Sequence, residues 1–137
     1  PKGELSNYKS ISALQSIICS LDARKKAKED CLMFNPENNI VESSNSNVFY
    51  VRNRLIYTPK LLEGCVDGTM RNCILNLKNL DFNIIETEVR TEDILDADEV
   101  FLSNAISGIR WVSSIEDRKF SQQNISQLLT EKINQLV

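Results

Sequence analysis

A chain of 137 residues is long enough for one ordinary domain with its own core. Its 42% hydrophobic and 26% charged content is that of a soluble globular protein; a net charge of −3, with both signs interspersed, excludes a basic nucleic-acid face and a polybasic membrane arm. The absence of histidine excludes Ser-His-Asp and Cys-His catalysis within this chain. No apolar run approaches the roughly 20 residues of a membrane span, and no signal-peptide pattern is present. Cys19, Cys31, Cys65 and Cys73 form no C-x-x-C pair, so reduced thiols in a cytoplasmic protein are expected, with no zinc site and no disulfide framework. The chain begins at Pro1 rather than methionine and reads as a processed or partial product.

In chain order, Ile11, Leu14, Ile17, Ile18 and Leu21 recur at helical spacing and predict a helix over 10–28. "CLMFN" reads as a short buried strand and "PENN" as a turn. A strand ending at Glu42 leads into a polar Ser/Asn loop. A hairpin follows, with strands Asn47–Arg52 and Leu55–Tyr57 around Asn53-Arg54, where Asn tolerates the left-handed backbone such a turn needs. "LLEGCVDGTMRNCILNLKNL" passes from a loop into a second helix, capped by Asp67 or Thr69 and buried through Met70, Cys73, Ile74 and Leu77. "FNIIETEV" reads as a strand, and "TEDILDAD" as a short helix with a Thr cap and an acidic first turn. "EVFLSNA" and "GIRWVSSI" read as two strands. A last helix carries Ile125, Leu128, Leu129, Ile133 and Leu136 on one face. Mixed strands and helices without repeat or linker give an α/β (α+β) class and one domain over residues 1–137.

Three places carry chemistry. A glycine-containing loop, Val66-Asp67-Gly68-Thr69-Met70, opens a helix, where free N–H groups and the helix dipole favour an anion such as phosphate. Glu42 stands at a strand end beside a hydrogen-bonding loop, suited to a cationic heteroatom. Lys9 is either a surface ammonium or an amine whose pKa falls on desolvation so that it forms an imine. A phosphate site, an acid for a ring nitrogen and an imine-forming lysine are together the protein-side needs of pyridoxal phosphate.

With these blocks in order, the chain resembles the class IV aminotransferase family, the fold-type IV pyridoxal-phosphate enzymes, over nearly its whole length. The resemblance is carried by "NYKSISAL", the E-x-x-x-x-N-[VL]-F block at Glu42–Phe49, Tyr57-Thr58-Pro59, the G-x-x-R block at Gly68–Arg71, and "ADEVFLSNA" at 97–105. It implies a mixed sheet or pseudo-barrel with flanking helices, and pyridoxal 5′-phosphate as cofactor. It implies that Lys9 is the Schiff-base lysine and the catalytic base and acid, and that Glu42 pairs with the pyridine nitrogen. It further implies that Val66 packs on the ring, that Gly68, Thr69 and Met70 hold the phosphate by main-chain N–H groups, and that Asn45, Ser46, Asn104 and Ala105 lie beside the cofactor.

The "Asn-Ala" at 104–105, where many members have threonine, resembles the 4-amino-4-deoxychorismate lyase branch. Ser12 stands where lyases and D-amino acid aminotransferases often have asparagine. Leu14, where branched-chain enzymes have tyrosine, points away from that branch. The implied reaction forms 4-aminobenzoate, a folate precursor, and pyruvate. The alternatives are branched-chain or D-amino acid transamination, or an inactive fragment. The resemblance also implies a small amino substrate, a homodimer, and a preceding N-terminal domain, absent here, that completes the site; neither nucleic acid nor membrane is expected as a partner, and no metal.

Overall fold

The computed structural model describes residues 4–8, 13–78 and 80–136. Its centre is a pair of strands that the sequence makes apolar on both faces. In β3 (Asn47–Arg52) Val48 and Tyr50 point to one side, into a cluster with Val100 and Leu102 of β6 (Glu99–Asn104). Phe49 and Val51 point to the other, with Phe101. Phe49 and Phe101 stack with ring centroids 5.0 Å apart. Each fully buried side chain of this size contributes roughly 1.5–3 kcal/mol, so both faces must be covered, and they are.

The remaining strands follow from the turns. Asn53 and Arg54 take φ of 51° and 63°, the left-handed pair of a two-residue hairpin, and return the chain antiparallel as β4 (Leu55–Pro59). The chain then crosses through α2 (Thr69–Leu75) and adds β5 (Ile84–Thr87) parallel to β4. On the other side β6 pairs antiparallel with β3, and β7 (Gly108–Trp111) with β6. The order β5-β4-β3-β6-β7 is an open mixed sheet. The expected pseudo-barrel is not closed among the described residues, because β5 and β7 are the sheet's two ends and do not pair with each other.

One face is covered by α2 and by α4 (Asn124–Asn134), through Ile74 and Leu129. The other is covered by the hairpin β1 (Leu32–Phe34) and β2 (Ile40–Ser43), by α3 (Thr91–Leu95) and by Phe120, through Ile40, Val89, Ile94 and Ala97. A small hairpin, β8 (Ser114–Ile115) and β9 (Arg118–Lys119), precedes α4. The far end of β6 fixes α4. The buried Glu99 carboxylate accepts the N–H groups of Ile125 (3.0 Å) and Ser126 (2.8 Å), two donors that a helix start leaves without intrahelical partners. None of the described helices is long and apolar enough to cross a membrane.

Several local expectations are corrected. The N-cap of α2 is Gly68, neither Asp67 nor Thr69; Asp67 instead accepts from Asn72 Nδ2 at 2.9 Å. The N-cap of α3 is Arg90 rather than Thr91, with Asp93 accepting the Arg90 N–H at 2.8 Å. The strand at "CLMFN" is not wholly buried, since Phe34 is 47% exposed. The first helix, α1, spans Leu14–Lys25, and its apolar stripe faces outward: Leu14, Ile17, Ile18 and Leu21 are each at least half exposed. Cys19 of α1 and Cys31 are joined in a disulfide, against four reduced thiols; the α1-to-β1 turn brings their Cα atoms to 6.1 Å, within bridging range.

Candidate functional site

The end of β2, the start of β3, the end of β6 and the loop before α2 meet at one end of the central strands. Strand alternation leaves Glu42 half-buried, and its Oε2 accepts the Val66 N–H at 3.1 Å. Burial raises the Glu42 carboxyl above its usual range, and the Val66 hydrogen bond opposes that rise without cancelling it. The Val66 C=O in turn accepts from Asn47 Nδ2 at 2.8 Å. Gly68 has an ordinary φ of −71°; what it requires is space, because a Cβ there would stand 2.2 Å from Asn47 Oδ1.

A second set of bonds joins the two loops flanking β3 and β6. Ser43 N–H donates to Ser46 C=O at 2.8 Å and closes the loop that follows Glu42. Ser46 Oγ donates to Asn45 Oδ1 at 2.8 Å and accepts from Asn104 Nδ2 at 2.9 Å. Asn104 Oδ1 accepts from the N–H groups of Ile106 (3.0 Å) and Ser107 (2.6 Å), holding the turn that exposes Ala105. Asn47 lies opposite Ser103 in the ladder, so the two sets share one strand end. Ser103 Oγ is buried there without a hydrogen-bond partner among the described residues.

Among the sequence-derived candidates, Glu42 and Val66 are in contact, as are Asn45, Ser46 and Asn104. Gly68 stands against Asn47 beside them. Thr69 is exposed at the first turn of α2, and Met70 packs against the core rather than into a site. Lys9 lies outside the described residues, as does Ser12.

Sequence reasoning passed over three residues. Asn47 stood inside the Glu42–Phe49 block but carried no role. Asp30 accepts from Ser44 N–H (3.1 Å) and Ser44 Oγ (2.6 Å) and lies 3.4 Å from an Arg110 guanidinium nitrogen. Asn7 reaches the loop before α2, and only its place two residues before Lys9 marked it. Behind the loop, buried Arg71 donates to Pro59 C=O at 3.0 Å and pairs with Glu86 and with Asp67. No group of three or more His, Cys, Asp or Glu among the described residues is placed to hold a metal ion.

Fold and site define an α/β domain whose polar groups are delivered by loops at one sheet end, the arrangement that binds small molecules in such folds. The chain belongs to the class IV aminotransferase family: the family model described as Amino-transferase class IV matches residues 1–115. Aminodeoxychorismate lyase from Vibrio harveyi is 27% identical over 112 residues, covering 81% of this chain and 41% of that protein. A Legionella pneumophila crystal structure, described as a candidate 4-amino-4-deoxychorismate lyase, superposes with a TM-score of 0.90 at 32% identity, covering 96% of this chain and 50% of that one. The branched-chain aminotransferase of Thermoproteus uzoniensis, solved with norvaline, superposes at 0.93 with 26% identity, covering 97% and 46%. The chain spans half or less of the length of these relatives, and both lyase and branched-chain aminotransferase are among them.

Proposed function

We propose that this chain is the cofactor-binding part, C-terminal in the complete enzyme, of a pyridoxal 5′-phosphate lyase that converts 4-amino-4-deoxychorismate to 4-aminobenzoate and pyruvate. The observation that carries the reading is the half-buried Glu42 carboxyl, raised by burial and oriented by the Val66 N–H. The donor set fits the cofactor: a carboxyl disposed to share a proton suits a pyridine nitrogen, and a buried Ser103 hydroxyl without a partner among the described residues marks a strand end with hydrogen-bonding capacity to spare. When bound, pyridoxal phosphate supplies a conjugated cationic ring that accepts the electron pair left at the substrate α-carbon.

Glu42 holds the ring nitrogen protonated. Val66 packs on the ring face, and the main-chain N–H groups of the Gly68-Thr69-Met70 turn hold the phosphate. Because those contacts are main-chain, Met70 can point into the core and still serve. Asn45, Ser46 and Asn104 keep the neighbouring loops in place, and Ala105 borders the phosphate with no hydroxyl to offer. Lys9 would hold the cofactor covalently; its amine, freed by the substrate amine, would take the proton from the substrate α-carbon and give one to the departing enolpyruvyl group as that group's C–O bond to the ring breaks, leaving 4-aminobenzoate and pyruvate. The substrate-side walls come from the N-terminal part of the complete enzyme, and the enzyme is a homodimer.

Branched-chain transamination is the second reading, favoured by the likeness to the Thermoproteus uzoniensis enzyme. Lysine chemistry is shared, so products separate the two. Pyruvate and 4-aminobenzoate from aminodeoxychorismate support the lyase; exchange of branched-chain 2-oxo acids with glutamate supports the transferase. Borohydride reduction of the protein with bound pyridoxal phosphate, followed by peptide mass mapping, is expected to label Lys9. A label absent from Lys9, or spread over several lysines, refutes the assignment.

A further inference from the structure

Asn7 makes three hydrogen bonds to a segment far along the chain. Its amide donates to Leu61 C=O at 2.8 Å and to Cys65 C=O at 2.7 Å. Its own C=O accepts the Asp67 N–H at 2.9 Å. A side-chain amide has two N–H donors, and both are used. On the other side of the same segment, Val66 N–H goes to Glu42 and Val66 C=O receives Asn47. In a trans peptide the C=O and N–H point in opposite directions. The 65–66 peptide is therefore held by Asn7 at its oxygen and by Glu42 at its nitrogen. The 66–67 peptide is held by Asn47 at its oxygen and by Asn7 at its nitrogen. Two successive peptide planes are each tied at both ends, with Asn7 at one end of each and Glu42 or Asn47 at the other.

Lys9 follows Asn7 by two residues, a span of at most about 7 Å of chain. We infer that Asn7 is the positioning residue that sets the root of Lys9 relative to Glu42, by anchoring the lysine's segment to the 65–67 backbone. The inference rests on the reading of Lys9 and Glu42 as the two ends of the cofactor grip. That geometry matters because amine and carboxyl must meet opposite ends of one rigid ring, and a displacement near 1 Å costs a reacting pair about a hundredfold.

The test uses the full-length protein and two variants that lack the side-chain donors, Asn7→Leu and Asn7→Asp. Two quantities are read: the rate at which pyridoxal phosphate is captured at Lys9, trapped by borohydride and mapped by mass, and the affinity for pyridoxine phosphate, which has the same ring and phosphate but no aldehyde. Capture at Lys9 is expected to slow by about tenfold to a hundredfold, with pyridoxine phosphate affinity changed by less than about twofold. Unchanged capture overturns the inference. So does an equal fall in both quantities, or loss of the folded circular-dichroism spectrum in both variants, since either makes Asn7 a residue of the fold alone. Lys9→Ala separates the underlying reading: if this variant still captures the cofactor at wild-type rate, Lys9 is not the attachment point, whatever Asn7 does.

Discussion

Replacing Gly68 by alanine tests how the loop before α2 is seated. The backbone there, φ −71° and ψ 141°, suits any residue, so alanine alone should stabilise by about 0.4–1 kcal/mol through a less free unfolded chain. The added Cβ, however, would lie 2.2 Å from Asn47 Oδ1. Asn47 is buried and its amide donates to Val66 C=O at 2.8 Å, so moving it strands a buried donor at a cost of about 1–3 kcal/mol. Gly68→Ala is thus expected to destabilise the cofactor-free full-length protein by about 1–2 kcal/mol net. In an Asn47→Ala background the obstacle is gone, since the next neighbour, Arg71 Cβ, is at ordinary contact distance of 3.8 Å. There the same substitution should stabilise by about 0.4–1 kcal/mol. Urea midpoints for the four proteins close the cycle. Equal losses in both backgrounds would refute the argument, because the obstruction would then not be Asn47.

Three further outcomes are expected. Burial raises the folded Glu42 carboxyl above the unfolded value near 4.5, so the folded state binds the proton more tightly. Stability without cofactor is therefore greatest below that pH and declines as pH rises through the folded value. Glu42→Gln should then melt higher than wild type at pH 7 and alike near pH 4; a difference independent of pH would contradict this. Arg71→Met removes the donor to Pro59 C=O and the partner of Glu86 from a buried position, for a loss of about 3 kcal/mol in urea unfolding; a change below about 1 kcal/mol would show that Arg71 is dispensable. The Cys19–Cys31 bridge closes a separation of 12 residues, worth up to about 3 kcal/mol by chain entropy. Non-reducing peptide mapping should recover the two linked, and two alkylated thiols there would count against the bridge.

Much of the fold was legible because the information was local. The Asn53-Arg54 turn, the continuous apolar run of β3 and the periodicity of α4 each state their own structure. Periodicity tells which residues share a face and not what covers it, so it placed Leu14, Ile17, Ile18 and Leu21 together on α1 without saying that the face is exposed. Caps were misplaced by one residue for a similar reason: Gly68 and Arg90 serve by backbone position, where the eye looks for Ser, Thr or Asp. In the candidate site, Glu42, Ser46, Ser103 and Asn104 stand in blocks that the sequence marks through residue type and motif. Asn7 and Asn47 carried no role, because their partners are brought close only by the fold. Asn7 contacts Cys65 across 58 residues of sequence, and only its place two residues before Lys9 singles it out.

Glu99 at the opposite end of β6 has a consequence for how this domain can change. A slip of one residue along β6 would turn every side chain to the wrong face and would also pull the Glu99 carboxylate away from the start of α4. The strand is thus locked from the end opposite the candidate site. The turn at 104–107, held by Asn104, can accept other residues and lengths while the ladder beneath it keeps its register.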